Sequence, residues 1–200
     1  MGAKRGRPRA FDEREALGQI LNIFWERGYA QTSLEDLCVA TGLNKPSLYA
    51  AFGDKKAMYL KGLDAFRGQL LTALDTILFG ERDLKRSLKR FFKDGIDIYL
   101  AGTSGPRGCL AICTATTEAT IDDDIRGRLA LVINDIDSTL ARRLKQAVSD
   151  GDLPRDTDPA GMARFLSSIL HSLAVRARAR APKAQLASIA DTAIETALRR

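Results

Sequence analysis

Apolar residues recur every three or four positions along most of the chain, and no segment alternates as a strand does over a useful length. Ala16, Leu17, Ile20, Leu21, Phe24 and Trp25 form the first stripe, opened by Asp12 and Glu15 and stopped by Gly28. Leu34, Leu37 and Cys38 carry a short second helix, capped by Thr32 or Ser33 with Glu35 or Asp36 three residues on, and ended by Gly42. Asn44 caps a third, Pro46 is tolerated in its first turn, and Gly53 closes it. A longer helix runs from Asp54 to about Leu78, with Leu60, Leu63, Phe66, Leu70, Leu74 and Ile77 in its stripe and Gly80 at its end. Further helices are predicted from Asp83 to Ala101, from Cys109 to about Thr120, from Asp122 to Asp150, from Pro159 to about Arg180 and from Lys183 to Arg199. The glycine-rich loop from Gly102 to Gly108 follows no strand, so it is not a dinucleotide fingerprint. The fold class is all-α.

Two short helices around the Gly42 turn outline a helix-turn-helix. In the second of them Leu48 and Phe52 share the inward face, which leaves Lys45, Ser47 and Tyr49 outward near its N-terminus. Base-reading side chains project from that part of a recognition helix, with cations at the margins for phosphates. Lys55 and Lys56 follow at the start of the next helix, where backbone amides and two ammonium groups suit a phosphate. Upstream, Lys4, Arg5, Arg7 and Arg9 make an acid-free basic arm, broken by Gly2, Gly6 and Pro8. Beside a helix-turn-helix such an arm lies along phosphates or enters the minor groove.

The stretch TGLNKPSLYAAFGDKKAMYL resembles the DNA-binding segment of the tetracycline-repressor (TetR) family of bacterial transcription regulators. The matching positions are Thr32-Ser33, Gly42-Leu43, Ser47-Leu48-Tyr49 with Phe52, and Lys55, and the likeness covers roughly residues 10 to 60. Ala51 departs from the pattern, where the family usually carries histidine or another polar residue. The resemblance implies a DNA-binding domain over residues 1–56, and an effector-binding and dimerisation domain over residues 57–200. It also implies a ligand-responsive repressor whose partners are double-stranded operator DNA, a second copy of the chain in a homodimer, and a small-molecule effector. The DNA-binding residues would be Lys4, Arg5, Arg7, Thr32, Ser33, Asn44, Lys45, Ser47, Tyr49 and Lys55. Dimerisation would pair the last two long helices with their symmetry mates. Their broad apolar faces, and the small Ala187, Ala190, Ala193 and Ala197, permit that approach.

Composition adds less. The 200 residues are 45% hydrophobic with a net charge of +6, compatible with a polyanionic partner. Residues 1–60 hold nine Lys/Arg against seven Asp/Glu, so local arrangement and not bulk charge marks the DNA site. Three cysteines make no disulfide framework, and no run of about 18 apolar residues suggests a membrane span, so a cytoplasmic protein is expected. One histidine, and no HExxH, P-loop or GxSxG, leave no recurring catalytic constellation; no enzyme, cofactor or metal site is expected. Asp122 to Asp124 read as a helix cap, and Arg176, Arg178 and Arg180 as a solvated helix end. Candidate walls of an effector pocket are Phe66, Phe91, Phe92, Tyr99, Cys109, Ile112 and Phe165, with His171 as a polar group. Cys109 follows Arg107 at a helix start, which would favour a reactive thiolate and make it a candidate chemical sensor, with Cys113 one turn on. Both cysteines also suit small buried hydrophobes.

Overall fold

The computed structural model describes residues 11–199, and the basic arm lies outside them. Eight α-helices follow one another: α1 (Glu13–Arg27), α2 (Leu34–Thr41), α3 (Lys45–Phe52), α4 (Lys55–Phe79), α5 (Leu84–Leu100), α6 (Asp123–Asp150), α7 (Pro159–Arg178) and α8 (Lys183–Ala197). The described residues contain no strand.

Local chemistry sets most of these boundaries. Asp12 caps α1 by accepting from the Arg14 and Glu15 amides. Ser33 and Asp36 form the capping box of α2, and Gly42 ends that helix at φ 66°, in the left-handed region where a Cβ is unfavourable. Asn44 accepts from the Ser47 amide to open α3, and Asp54 accepts from the Ala57 amide to open α4. The end of α4 is different. Gly80 stays right-handed, and the buried Arg143 of α6 reaches across instead, donating from Nε to the Leu78 carbonyl at 2.8 Å and from Nη2 to the Arg82 carbonyl at 2.7 Å. A guanidinium supplied by another helix thus satisfies carbonyls that a glycine turn would otherwise answer.

The helix expected over Cys109 to Thr120 is not a regular one. A π-helical turn spans Ala111–Ala115 and a 3-10 turn spans Glu118–Thr120. Threonines explain the break. Thr114 donates to the Leu110 carbonyl at 2.6 Å, Thr116 to the Ile112 carbonyl, and Thr120 to the Thr117 carbonyl, each competing with the backbone ladder.

α1, α2, α3 and the start of α4 make a small unit around Ile20, Phe24, Leu37, Leu48 and Met58, all fully buried. The rest of α4 continues into a second layer, where it packs on α5 and α6, while α7 packs on α5, α6 and α8. α4 therefore belongs to both units, and its 25 residues span roughly 37 Å.

Candidate nucleic-acid interface and effector cavity

On α3 the inward side chains are Leu48 and Phe52, both buried. Lys45 and Tyr49 point outward, Tyr49 with 45% of its surface exposed, and Ser47 is half-buried beside them. Asn44 and Ser33 are exposed helix caps at the edges of the same corner. The Lys45 ammonium sits 3.0 Å from Glu35, whose hydrogen bond raises its pKa. Both side chains are largely solvated, so a phosphate can displace that carboxylate cheaply.

Three predicted contacts read differently in the structure. Thr32 is buried, its hydroxyl donates to the Gly28 carbonyl at 2.7 Å, and its amide to the Tyr29 carbonyl. Its role is to hold the turn between α1 and α2. The Lys55 ammonium lies 4.6 Å above the Tyr29 ring, half-buried and with no ion pair among the described residues. Lys56 does not stand free for phosphate, because Asp122 holds it at 2.7 Å and Asp124 at 2.9 Å, a link from the start of α4 to the start of α6. Those hydrogen bonds raise the pKa of Lys56, and Lys56 in turn lowers that of Asp122. Lys4, Arg5 and Arg7 lie outside the described residues.

A cavity of 70 Å³ lies between α4 and α5, closed by α6 and α7. Four of the candidate pocket residues, Phe66, Phe91, Tyr99 and Cys109, line it together with Leu74, Ile136 and Leu170. The other four candidates lie elsewhere. Phe92 is one position, and so about 100° of helix, beyond Phe91, and it faces a groove between α5 and α8. Phe165 is displaced likewise from the buried Leu166 and is 40% exposed. Ile112 packs half-buried against the core, in the π-helical turn. His171 is half-buried with a buried, unpartnered Nε2 among the described residues, and burial lowers its pKa. A larger open depression of 540 Å³ lies just beyond the C-terminal end of α4, between residues 81–85 and Asp152-Leu153, and touches none of the predicted side chains.

Cys109 is buried, and burial pushes its thiol up to about 12, although the Ile112 and Ala111 amides pull the other way. Desolvation outweighs the helix-start effect. Nor does Arg107 supply the expected cation, since its guanidinium stacks 3.8 Å from the centre of the Trp25 ring. Burial thus keeps Cys109 in its protonated thiol form at neutral pH.

One join between the two units was invisible in the pattern. Trp25 of α1 donates from its indole nitrogen to the Gly108 carbonyl at 2.8 Å and meets Phe66 edge-on, 5.2 Å between centroids. Gly108 adopts φ 66°, and any Cβ there would fall 2.6 Å from the Cys113 sulfur and 2.8 Å from the Ala174 carbonyl oxygen. Arg178, read as solvated, instead donates to the carbonyls of Arg107 at 3.1 Å, Glu26 at 3.3 Å and Trp25 at 3.4 Å. The Glu26 carboxylate accepts from the Thr103 amide at 2.8 Å, which with its neighbours lowers its pKa. Tyr59, another buried aromatic on α4, shares a 2.7 Å hydrogen bond with Thr114. Phe66 and Cys109 thus face the cavity while Phe66 and Gly108 touch Trp25 of the helix-turn-helix unit.

Comparison with known proteins agrees with this geometry. Residues 17–61 match the family described as "Bacterial regulatory proteins, tetR family", and residues 85–193 match "Tetracyclin repressor-like, C-terminal domain". The chain belongs to the TetR family. Among its TetR-family relatives is the HTH-type transcriptional repressor ComR of Escherichia coli (strain K12), 31% identical over 95% of this chain and 90% of that one. The uncharacterised HTH-type transcriptional regulator YezE of Bacillus subtilis (strain 168) is 25% identical over 94% and 97%. Among solved structures, a cysteine mutant of the TetR-family regulator CifR superposes with a TM-score of 0.86 at 31% identity, over 94% of this chain and 98% of that one. That protein is complexed with a 26-bp double-stranded operator. The chain is accordingly a DNA-binding transcription regulator, of a family that acts as homodimers and answers small molecules.

Proposed function

We propose that the chain represses transcription by placing the Lys45, Ser47 and Tyr49 face of α3 in the major groove of double-stranded operator DNA. The observation that carries this reading is the outward α3 face itself, mounted on the buried Leu48 and Phe52. In this reading Ser33, Asn44 and Lys55 meet the flanking backbone, and Lys4, Arg5 and Arg7 extend the contact from the arm. Residues 1–56 form the DNA-binding unit and residues 57–200 the effector and dimer unit. The homodimer forms through α7 and α8, supported by the exposed Phe165 and Val175 on α7, and it sets two recognition helices one DNA turn apart. The protein works in the cytoplasm; among the described residues no helix is long and apolar enough to cross a membrane.

The 70 Å³ cavity is the effector site in this reading. A ligand there presses on Phe66 and on the Gly108–Cys109 segment, both of which support Trp25. The start of α4 then shifts and the spacing of the two α3 helices changes. Binding to the two conformations must differ in affinity for this to release DNA. The test is a gel shift on the upstream promoter fragment beside sedimentation of Phe165→Glu. The reading expects a sequence-specific complex, and a monomeric variant that binds DNA poorly; wild-type DNA binding by a monomeric variant would refute the dimer.

A further inference from the structure

Tyr99 is 6% exposed and borders the cavity, and its hydroxyl makes no hydrogen bond among the described residues. A phenol on so buried a residue usually finds a partner, so a hydroxyl with no protein acceptor beside a cavity leaves a place for an acceptor on a ligand. The neighbouring wall is apolar, formed by Phe66, Leu74, Phe91, Ile136 and Leu170. Cys109 adds a protonated thiol, and Tyr99 is likewise held in its neutral form by burial. The one acidic side chain at the wall, Asp94, is already paired with Arg90 at 3.4 Å and Lys93 at 3.9 Å.

We propose that the effector is an uncharged, compact, largely apolar molecule carrying one hydrogen-bond acceptor, which accepts a hydrogen bond from the Tyr99 phenol. This rests on the reading of the cavity as the effector site. A charged ligand would lose its hydration without a counter-ion free to replace it. Size follows from volume. A cavity of about 150 Å³ accommodates benzene, so 70 Å³ fits roughly three to five non-hydrogen atoms once side-chain ends relax. Gly95 of α5 keeps that volume open, since a Cβ there would lie 2.8 Å from Leu170 Cδ1.

Four probes of similar length separate the possibilities: butan-1-ol, pentane, butyrate and butylammonium, each titrated by NMR into the full-length protein and into Tyr99→Phe and Gly95→Ala. Butan-1-ol should bind, butyrate and butylammonium should bind at least tenfold more weakly, and Gly95→Ala should weaken butan-1-ol and pentane alike. Tyr99→Phe should weaken butan-1-ol about fivefold, the size of one modest hydrogen bond, and leave pentane unchanged. Equal or tighter binding of either ion, an equal effect of Tyr99→Phe on butan-1-ol and pentane, or no binding by any probe overturns the proposal. The same titrations are run with operator DNA bound. If butan-1-ol binds through Tyr99 yet saturation leaves operator affinity unchanged, the ligand class stands and the reading of the cavity as an effector site falls.

Discussion

Replacing Trp25 by Phe tests the join between the two units. The smaller ring retains an aromatic face toward Phe66 but removes the indole N–H that reaches the Gly108 carbonyl at 2.8 Å. Leaving that buried carbonyl without its donor costs about 1–3 kcal/mol, and the space vacated by the smaller ring adds roughly another 1 kcal/mol. For a chain of 200 residues a total of about 2–4 kcal/mol lowers Tm by roughly 5–15 °C. The assay is a thermal melt at matched protein concentration, because dimerisation makes Tm depend on concentration. Arg178→Lys keeps the charge but cannot fork across the Trp25, Glu26 and Arg107 carbonyls. The double variant should therefore fall short of the sum of the singles, since both act on one junction. A Tm within about 1 °C of wild type for Trp25→Phe, or strict additivity with Arg178→Lys, would refute the reasoning.

Three other outcomes are expected. His171 is half-buried with its folded pKa below the ordinary 6.5, so its neutral form favours the folded state; that contribution is present above pH 6.5 and lost as pH falls through the folded pKa. His171→Gln should flatten the fall in Tm between pH 7.5 and 5.5, and an unchanged profile would contradict it. Cys109, with its thiol up at about 12, should alkylate with iodoacetamide at pH 8 about a thousandfold more slowly than an unperturbed cysteine; peptide mapping after timed labelling that finds equal rates would restore it as a sensor. Deleting residues 1–9 removes four cations, so the plot of log K against log salt for operator binding should become shallower, and an unchanged slope would remove the arm from the interface.

The helix-turn-helix was legible because its signals are local. Asn44, Ser33, Gly42 and Asp54 act within four residues of themselves, and the stripes ending in Leu48 and Phe52 follow helical spacing. What escaped depends on partners far along the chain. Arg178 reaches residues 152 and 153 positions away, Arg143 closes α4 from α6, and Lys56 pairs with Asp122. No spacing rule assigns an arginine to a distant carbonyl. Half of the pocket candidates lie away from this cavity for a related reason. Periodicity shows that Phe91, Phe92 and Phe165 are helical, but which neighbour each face meets is set by packing. Cys109 shows competing effects on one group, where the helix start favours the thiolate and burial overrides it.

Operator binding by the combined variant Lys45→Ala/Tyr49→Ala tests the central claim most directly. Both side chains point outward from α3 while Leu48 and Phe52 hold the helix in place, so the far-ultraviolet circular dichroism and melting temperature should stay at wild-type values. Fluorescence anisotropy on the native promoter fragment, at fixed salt, should show affinity about 10- to 100-fold weaker, as the loss of one or two groove contacts implies. Wild-type affinity in a correctly folded double variant would place the recognition surface elsewhere.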